Sequence, residues 1–242
     1  MDYFYCPPEN VSRAILQIDG EEFAHLVHVM RKKEGDEIRV VDGRGNAYDV
    51  RLEAVKKKTA AGVILHSYTN HHEAAVDVTI AAGILKNPSK FDFLVEKVTE
   101  IGVKKIVPLC TERTIPSHIK VSRLRKIALA AMKQAGRSFL PEVAELTSLD
   151  EAVDKYRFHE LKIIAHEKAD DPFGAYAGAV ASARSVIVLI GPEGGFTDSE
   201  VAKCAAAGFL PVNYGERRFR TETAAVVAAA SVILRDFGEK LM

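Results

Sequence analysis

Apolar and polar residues alternate in two short runs near the start of the chain: Ile38 and Val40 before Asp42-Gly-Arg-Gly-Asn46, and Tyr48, Val50 and Leu52 after it. A period of two puts each set on one face of a strand, and the glycine-rich connection joins the strands as a hairpin. Between Asp19 and Arg31 the period changes, with Phe23, Leu26, Val27 and Met30 at helical spacing. Asp19 followed by Glu22 reads as a capping box at the start of that helix. Up to about residue 70 the pattern predicts short strands and turns around one helix, a small β-barrel-like domain.

The polar stretch His66-Ser-Tyr-Thr-Asn-His-His-Glu73 ends this pattern, and another begins at Val76. Residues 76–85 read as a strand. Phe91, Leu94, Val98 and Ile101 then mark one face of a helix that starts at Pro88-Ser89 and stops at Gly102. Residues 103–109 form a further strand, 124–135 an apolar helix face, and 161–165 and 186–190 two buried strands. Thr197 with Glu200 is a capping box for a helix that Gly208 closes; residues 209–213 are a last strand and 223–237 a last helix. Strands alternating with helices predict an α/β domain with a mostly parallel sheet covered on both faces. The expected division is residues 1–72 and 73–242.

The 242 residues are 48% hydrophobic, enough for a real core. Lys+Arg and Asp+Glu are equal at 33 each, so no net field advertises a polyanionic partner. The distribution changes that picture: residues 86–137 hold 12 Lys or Arg against 4 Asp or Glu. Such a surplus is either a solvated helix surface or a track for RNA phosphates. No run of about 18 apolar residues and no basic-then-apolar leader occurs, which argues against a membrane partner or secretion. Cys6, Cys110 and Cys204 are far apart and lack metal or disulfide spacing, in keeping with the reducing cytosol.

Candidate chemistry centres on two glycine-bearing stretches, Leu189-Ile-Gly-Pro-Glu-Gly-Gly-Phe196 and Tyr214-Gly-Glu-Arg-Arg-Phe-Arg-Thr-Glu-Thr-Ala-Ala225. Residues 191–195 are neither a dinucleotide fingerprint nor a phosphate-binding loop with its Gly-Lys-Ser/Thr, so hydride and phosphoryl transfer are disfavoured. No Gly-x-Ser-x-Gly elbow provides a serine nucleophile. His25-x-x-His28 and His71-His72 lack a third ligand at convincing spacing, so no metal is expected. A loop at the carboxyl end of the buried strand 186–190 stands where open α/β sheets bind ligands.

These stretches, with Glu96-Lys-Val-Thr-Glu-Ile-Gly102, Ile106-Val-Pro-Leu-Cys-Thr-Glu-Arg113, and Gln134-Ala-Gly-Arg137 ahead of Pro141-Glu-Val143, resemble nearly end to end the RsmE family. Its members are bacterial 16S ribosomal RNA methyltransferases of the SPOUT superfamily that act on ring nitrogen 3 of uracil. The resemblance implies an N-terminal PUA-like barrel for RNA and a C-terminal α/β domain whose last elements thread a deep trefoil knot. It also implies S-adenosylmethionine as methyl donor, a homodimer, and 16S ribosomal RNA or the assembled small subunit as partner in the cytoplasm. Cofactor contacts are implied for Leu189, Gly191, Pro192, Glu193, Gly194, Gly195, Tyr214, Gly215, Phe219, Thr221, Thr223 and Ala224. RNA contacts are implied for Arg31, Arg44, Lys90, Arg113, Arg123 and Arg137. The chain departs from the family pattern at Glu216, at Arg218-Phe219 and at Asn87-Pro-Ser-Lys90.

Uracil nitrogen 3 carries a proton at neutral pH and sits between two carbonyls, so methylation needs a proton acceptor and a donor for the developing charge. Arg220 and Glu222 are the expected catalytic pair, with Arg220 on a uracil oxygen and Glu222 taking the proton. A plainer role for Glu222 is a first-turn acid favoured by the helix dipole. The alanines at 224, 225, 228, 229 and 230 either fill the core or meet a second subunit. An RNA-binding module without catalysis, or a relative acting on transfer RNA, stands as the alternative.

Overall fold

The structure, a computed structural model, describes residues 2–234. It divides into two units: residues up to Glu73 together with Leu129–Leu140, and Ala74–Ala128 together with residues from Pro141 on.

The first unit carries β1 (Tyr3–Tyr5), β2 (Ile15–Asp19), α1 (Gly20–Ala24), β3 (Glu37–Val41), β4 (Asn46–Val55) and β5 (Thr59–Thr69). Its sheet has the order β1-β3-β4-β5-β2, with β1 parallel to β3 and the other pairs antiparallel. Ile38 lies opposite Val50 and Val40 opposite Tyr48, the register that the alternation predicts. Two register shifts in β4 against β5 mark bulges, which bend a strand and sharpen its twist. Phe4, Leu16, Ile18, Phe23, Leu26, Ile38 and Leu52 meet in one core, so every apolar stripe read from the sequence turns inward.

The capping box at Asp19 does not form. Asp19 holds the N-cap position without a side-chain cap bond, and Glu22 instead accepts the Tyr5 amide at 3.0 Å and the Lys133 ammonium at 2.7 Å. The helix continues past α1 through a π turn over His25–Val29.

The second unit contains β6 (Asp77–Gly83), α2 (Pro88–Ile101), β7 (Lys105–Cys110), most of α3 (Val121–Gln134), β8 (Glu142–Val143), β9 (Thr147–Ser148) and α4 (Leu149–Lys155). These are followed by β10 (Leu161–Ala165), α5 (Ala177–Ser182), β11 (Ser185–Ile190), α6 (Asp198–Ala206), β12 (Leu210–Val212) and α7 (Thr221–Ile233). Its sheet runs β12-β10-β11-β6-β7-β8, with β9 also on β7, and all its pairs are parallel. Parallel strands are buried on both faces, as the unbroken run Val186 to Ile190 requires. Asn87 caps α2 through the Ser89 amide, and Thr197 with Glu200 forms the complete capping box on α6. The short helices α4 and α5 have no counterpart in the sequence reading. α7 packs on α2, β6 and β11, with Ala225, Ala228 and Ala229 fully buried where small side chains allow close approach. Residues 235–237 of the expected last helix lie outside the described residues.

Leu129–Leu140 belongs with the first unit, which the expected contiguous division of the chain does not include. The reason is a buried ion pair: Arg137 Nη2 meets Glu73 Oε2 at 2.7 Å, both side chains 3% exposed, and Glu73 Oε1 accepts the Ser138 and Phe139 amides. Met132, packed against Val41 and Ala47, adds apolar burial to the same attachment. Among the described residues no helix is long and apolar enough to cross a membrane.

Candidate active site

Three neighbouring parallel strands end at one place. Ala165, Ile190 and Val212, the last residues of β10, β11 and β12, line a cavity of about 390 Å³ with the loops that follow them. This is the carboxyl edge of the sheet, where α/β folds hold ligands, and the volume lies in the range of small-molecule sites.

The loop after β11 is folded back on itself. Gly195 donates to the Pro192 carbonyl at 2.9 Å with φ of 69°, a conformation that favours glycine. A Cβ on Gly191 would stand 3.0 Å from the Gly195 backbone. On the neighbouring strand, a Cβ on Gly83 would lie 2.5 Å from Pro192 N, so bare backbone at the end of β6 makes room for the loop. Glu193 Oε1 accepts the Lys86 amide at 3.1 Å, and Arg113 reaches across to donate to the Gly194 carbonyl at 2.9 Å.

The second stretch closes the cavity. Thr221 donates its hydroxyl to the Gly191 carbonyl at 2.8 Å, tying the start of α7 to the first loop. Arg220 occupies the N-cap of α7 without a side-chain cap bond, so the N-cap residue itself does not satisfy the first-turn N–H groups. Tyr214 stacks on Phe173 with ring centroids 5.1 Å apart. Its hydroxyl is buried with no hydrogen-bond partner among the described residues, and burial pushes that phenol well above its ordinary range.

The structure brings together most of the residues singled out in the sequence. Gly191, Pro192, Glu193, Gly194, Gly195, Tyr214, Gly215, Phe219, Thr221 and Ala224 line the cavity, as do Arg220 and Glu222. Leu189 does not: it is fully buried among Val107, Leu109, Ile164 and Phe209, because it lies one position before the end of β11 and faces the core. Thr223 is likewise absent from the lining, since it projects from the exposed side of α7.

The six cations expected to touch RNA separate. Arg31 and Arg44 are exposed on the first unit. Lys90 and Arg113 line the cavity, Arg113 being committed to the loop backbone. Arg123 pairs with Asp92. Arg137 is 2% exposed and locked to Glu73, so its role is structural and the expected RNA contact is corrected. The basic surplus of residues 86–137 is largely answered by acids outside that segment: Lys104 by Asp77, Lys105 by Glu142, Arg125 by Glu145, Lys133 by Glu22 and Lys90 by Glu222.

Sequence reasoning missed His166, Glu167 and Lys168, the wall that follows β10, and Arg217 beside them. Arg218 Nε pairs with Glu167 Oε2 at 2.9 Å across the cavity rim. The signal that locates this wall is the carboxyl end of β10, the same rule that pointed to β11. Among the described residues no group of three or more His, Cys, Asp or Glu gathers in a metal-holding arrangement.

The RNA methyltransferase domain family matches residues 72–233, and the RNA methyltransferase PUA domain family matches residues 18–65. A relative from Synechocystis named ribosomal RNA small subunit methyltransferase E is 32% identical over 229 residues, covering 93% of this chain and 75% of the relative. One of the same name from Bacillus subtilis is 27% identical over 226 residues, covering 89% and 88%. Among solved structures, a ribosomal RNA small subunit methyltransferase E from Neisseria gonorrhoeae bound to S-adenosyl methionine superposes with a TM-score of 0.84 at 32% identity, over 96% of each chain. A protein from Legionella pneumophila with the cofactor SAM bound gives 0.85 at 29% identity over 98% of each. With the methyltransferase family spanning most of the chain and named relatives aligned nearly end to end, the chain belongs to the ribosomal RNA small subunit methyltransferase E family of RNA methyltransferases.

Proposed function

We propose that this protein methylates ring nitrogen 3 of a uridine in 16S ribosomal RNA, using S-adenosylmethionine held in the cavity at the ends of β10, β11 and β12. The observation that carries the reading is the nearly full-length likeness to a family member solved with S-adenosyl methionine bound. The cavity suits such a ligand. It offers bare loop backbone at residues 191–195, a buried tyrosine hydroxyl without a partner among the described residues, and the N-terminus of α7. Exposed backbone groups, the apolar side chains of Ile190, Phe196 and Val212 and several charged side chains around them suit a ligand that is part adenosine and part amino acid.

The bound cofactor supplies a methyl group on a sulfonium, already activated, so the chain's own work is orientation and proton management. Residues 191–195 and Tyr214 position the cofactor. Glu222, its side chain 13% exposed in the first turn of α7, accepts the proton from uracil nitrogen 3. Arg220, which makes no ion pair with a described residue, faces a uracil carbonyl and stabilises the charge that develops there. The exposed Arg31 and Arg44 of the PUA-type unit contact RNA phosphates, which gives affinity without sequence readout. The family resemblance adds a homodimer, a trefoil knot around the cofactor loops and a cytoplasmic setting to this reading.

Incubation with labelled S-adenosylmethionine and unmethylated small ribosomal subunits or their naked RNA tests the proposal, with the product nucleoside identified by mass spectrometry. The expected product is 3-methyluridine at a single position. Methylation of another base, or RNA binding without turnover, overturns it.

A further inference from the structure

Lys90 and Glu222 approach one another from two different helix starts. Lys90 is the third residue of α2 and Glu222 the second residue of α7; the helices pack side by side, and both side chains line the cavity. Lys90 Nζ stands 3.6 Å from Glu222 Oε1, close enough for attraction but outside hydrogen-bond distance. Neither side chain makes a hydrogen bond to a described residue.

Helix electrostatics favour Glu222 in its position and disfavour Lys90. The N-terminal turn is the positive end of the macrodipole, so a carboxylate there is stabilised and an ammonium is not. The third position of α2 therefore gains nothing for its own helix from a lysine. What that lysine does gain is access to the cavity, with its side chain only 34% exposed and its three donors unspent on hydrogen bonds to described residues. Lys133 closes on Glu22 to 2.7 Å, whereas Lys90 leaves its donors open beside Glu222.

The cavity wall thus holds the Lys90 ammonium beside the Glu222 carboxylate, and the Arg220 guanidinium from two positions earlier in the chain, so two donors and an acceptor are available there. The edge of uracil that contains nitrogen 3 presents the complementary set, a carbonyl acceptor, an N–H donor and a second carbonyl acceptor. Cytosine presents an amino donor, a bare nitrogen and a carbonyl. With Lys90 on the position-4 carbonyl, cytosine would put an amino donor against Lys90 and an unprotonated nitrogen against Glu222, two mismatches at once. Enzymes that act on a base taken out of its stack read it through hydrogen bonds on this edge.

We infer that Lys90 is a specificity-determining residue, which donates to one uracil carbonyl and, with Glu222 and Arg220, selects uracil over cytosine. This assignment rests on the uracil-methylating reading above and names how the base is recognised. It extends the plain RNA contact expected of Lys90 to one particular edge of one base.

The test compares wild-type protein with Lys90→Met and Lys90→Arg, using S-adenosylmethionine and small-subunit RNA. The mapped target carries either uridine or, by substitution, cytidine. Losing one charge-assisted hydrogen bond is expected to lower kcat/KM on the uridine substrate by about 10- to 100-fold in Lys90→Met. The ratio of uridine to cytidine methylation should fall with it. Lys90→Arg, which keeps a cationic donor, should recover part of both. Thermal midpoint and the calorimetric affinity for S-adenosylmethionine should stay at wild-type values in both variants. Wild-type kcat/KM and base selectivity in Lys90→Met overturn the assignment. So does a loss fully accounted for by weaker cofactor binding, which would make Lys90 a cofactor contact. If the wild-type protein itself yields no 3-methyluridine, the uracil reading fails and the assignment falls with it; 3-methyluridine from wild type with an indifferent Lys90→Met removes Lys90 alone.

Discussion

Thr221 donates its hydroxyl to the Gly191 carbonyl at 2.8 Å, joining the first residue of α7 to the first residue of the loop after β11. The two glycine-bearing stretches of the sequence thereby share one wall of one cavity. Thr221 is 6% exposed, so its replacement by valine, similar in shape, leaves the carbonyl facing an apolar methyl group. An unmet polar group in such a position costs about 1–3 kcal/mol. Thr221→Val is expected to lower denaturant stability by about that amount and to weaken S-adenosylmethionine binding by about tenfold, read by calorimetry. Wild-type affinity in the variant would show that the loop holds its shape without this tie.

Much of this was legible in the chain and some was not, and the division follows the range of the interactions. The hairpin of β3 and β4 was readable because alternation is local, and α6 because Thr197 and Glu200 cap it within four residues. The cavity was readable because the glycine-rich loop stands at the carboxyl end of a buried strand, where α/β sheets hold ligands, even though Gly194-Gly195 alone would serve a tight turn. Asp19 misled because Glu22, which should complete its box, is taken by Tyr5 and by Lys133, 111 residues away. Arg137 resembled a surface cation because nothing near it in sequence discloses Glu73, and the bond of the exposed Arg113 to the Gly194 carbonyl was not legible because the two are 81 residues apart. Leu189 and Thr223 stand off the cavity wall that their neighbours in the two stretches form, because neighbouring side chains on a strand or helix face different ways.

His159 lies away from the cavity lining, between Tyr156 at the end of α4 and Thr79 on β6. Its Nδ1 lies 3.2 Å from the Tyr156 carbonyl and its Nε2 3.2 Å from Thr79 Oγ1. A carbonyl can only accept, so the ring carries its proton on Nδ1 and accepts from the threonine hydroxyl, a neutral tautomer. Burial, helped by the charges of Lys105 and Lys162, lowers its pKa below the ordinary histidine value. The unfolded chain binds a proton near pH ~6.5 while the folded chain still does not. Stability is therefore fully present above that value and is lost as pH falls from it toward the lower folded pKa. Urea midpoints measured at pH steps between about 7.5 and 5 should decline more steeply for the wild type than for His159→Gln. Parallel curves would assign the acid sensitivity to other groups.

Tyr214 separates the ligand-free molecule from the ligand-bound one. Its hydroxyl is buried without a hydrogen-bond partner among the described residues, a cost that Tyr214→Phe removes. The thermal midpoint of the variant without ligand is expected to equal or exceed that of the wild type. If the hydroxyl serves S-adenosylmethionine, the rise in midpoint on adding saturating cofactor should be smaller in the variant, because stabilisation by a ligand scales with the logarithm of its affinity. An unchanged rise would place the hydroxyl outside the cofactor's reach.

Arg137 carries the sharpest contrast between a sequence expectation and the structure. As an RNA contact its loss would leave folding intact and reduce the salt dependence of RNA binding by about one phosphate. As the buried partner of Glu73 its loss leaves a carboxylate without its countercharge where water does not reach, a defect of about 3–5 kcal/mol. Arg137→Ala is therefore expected to unfold at much lower denaturant, and Arg137→Lys, which keeps the charge but loses the planar fork, at an intermediate point. The lysine variant, if folded at assay temperature, should bind small-subunit RNA with the wild-type slope of log affinity against log salt. A stable Arg137→Ala protein with a shallower slope would return the residue to the RNA surface and require Glu73 to be held by its bonds from Ser138 and Phe139 alone.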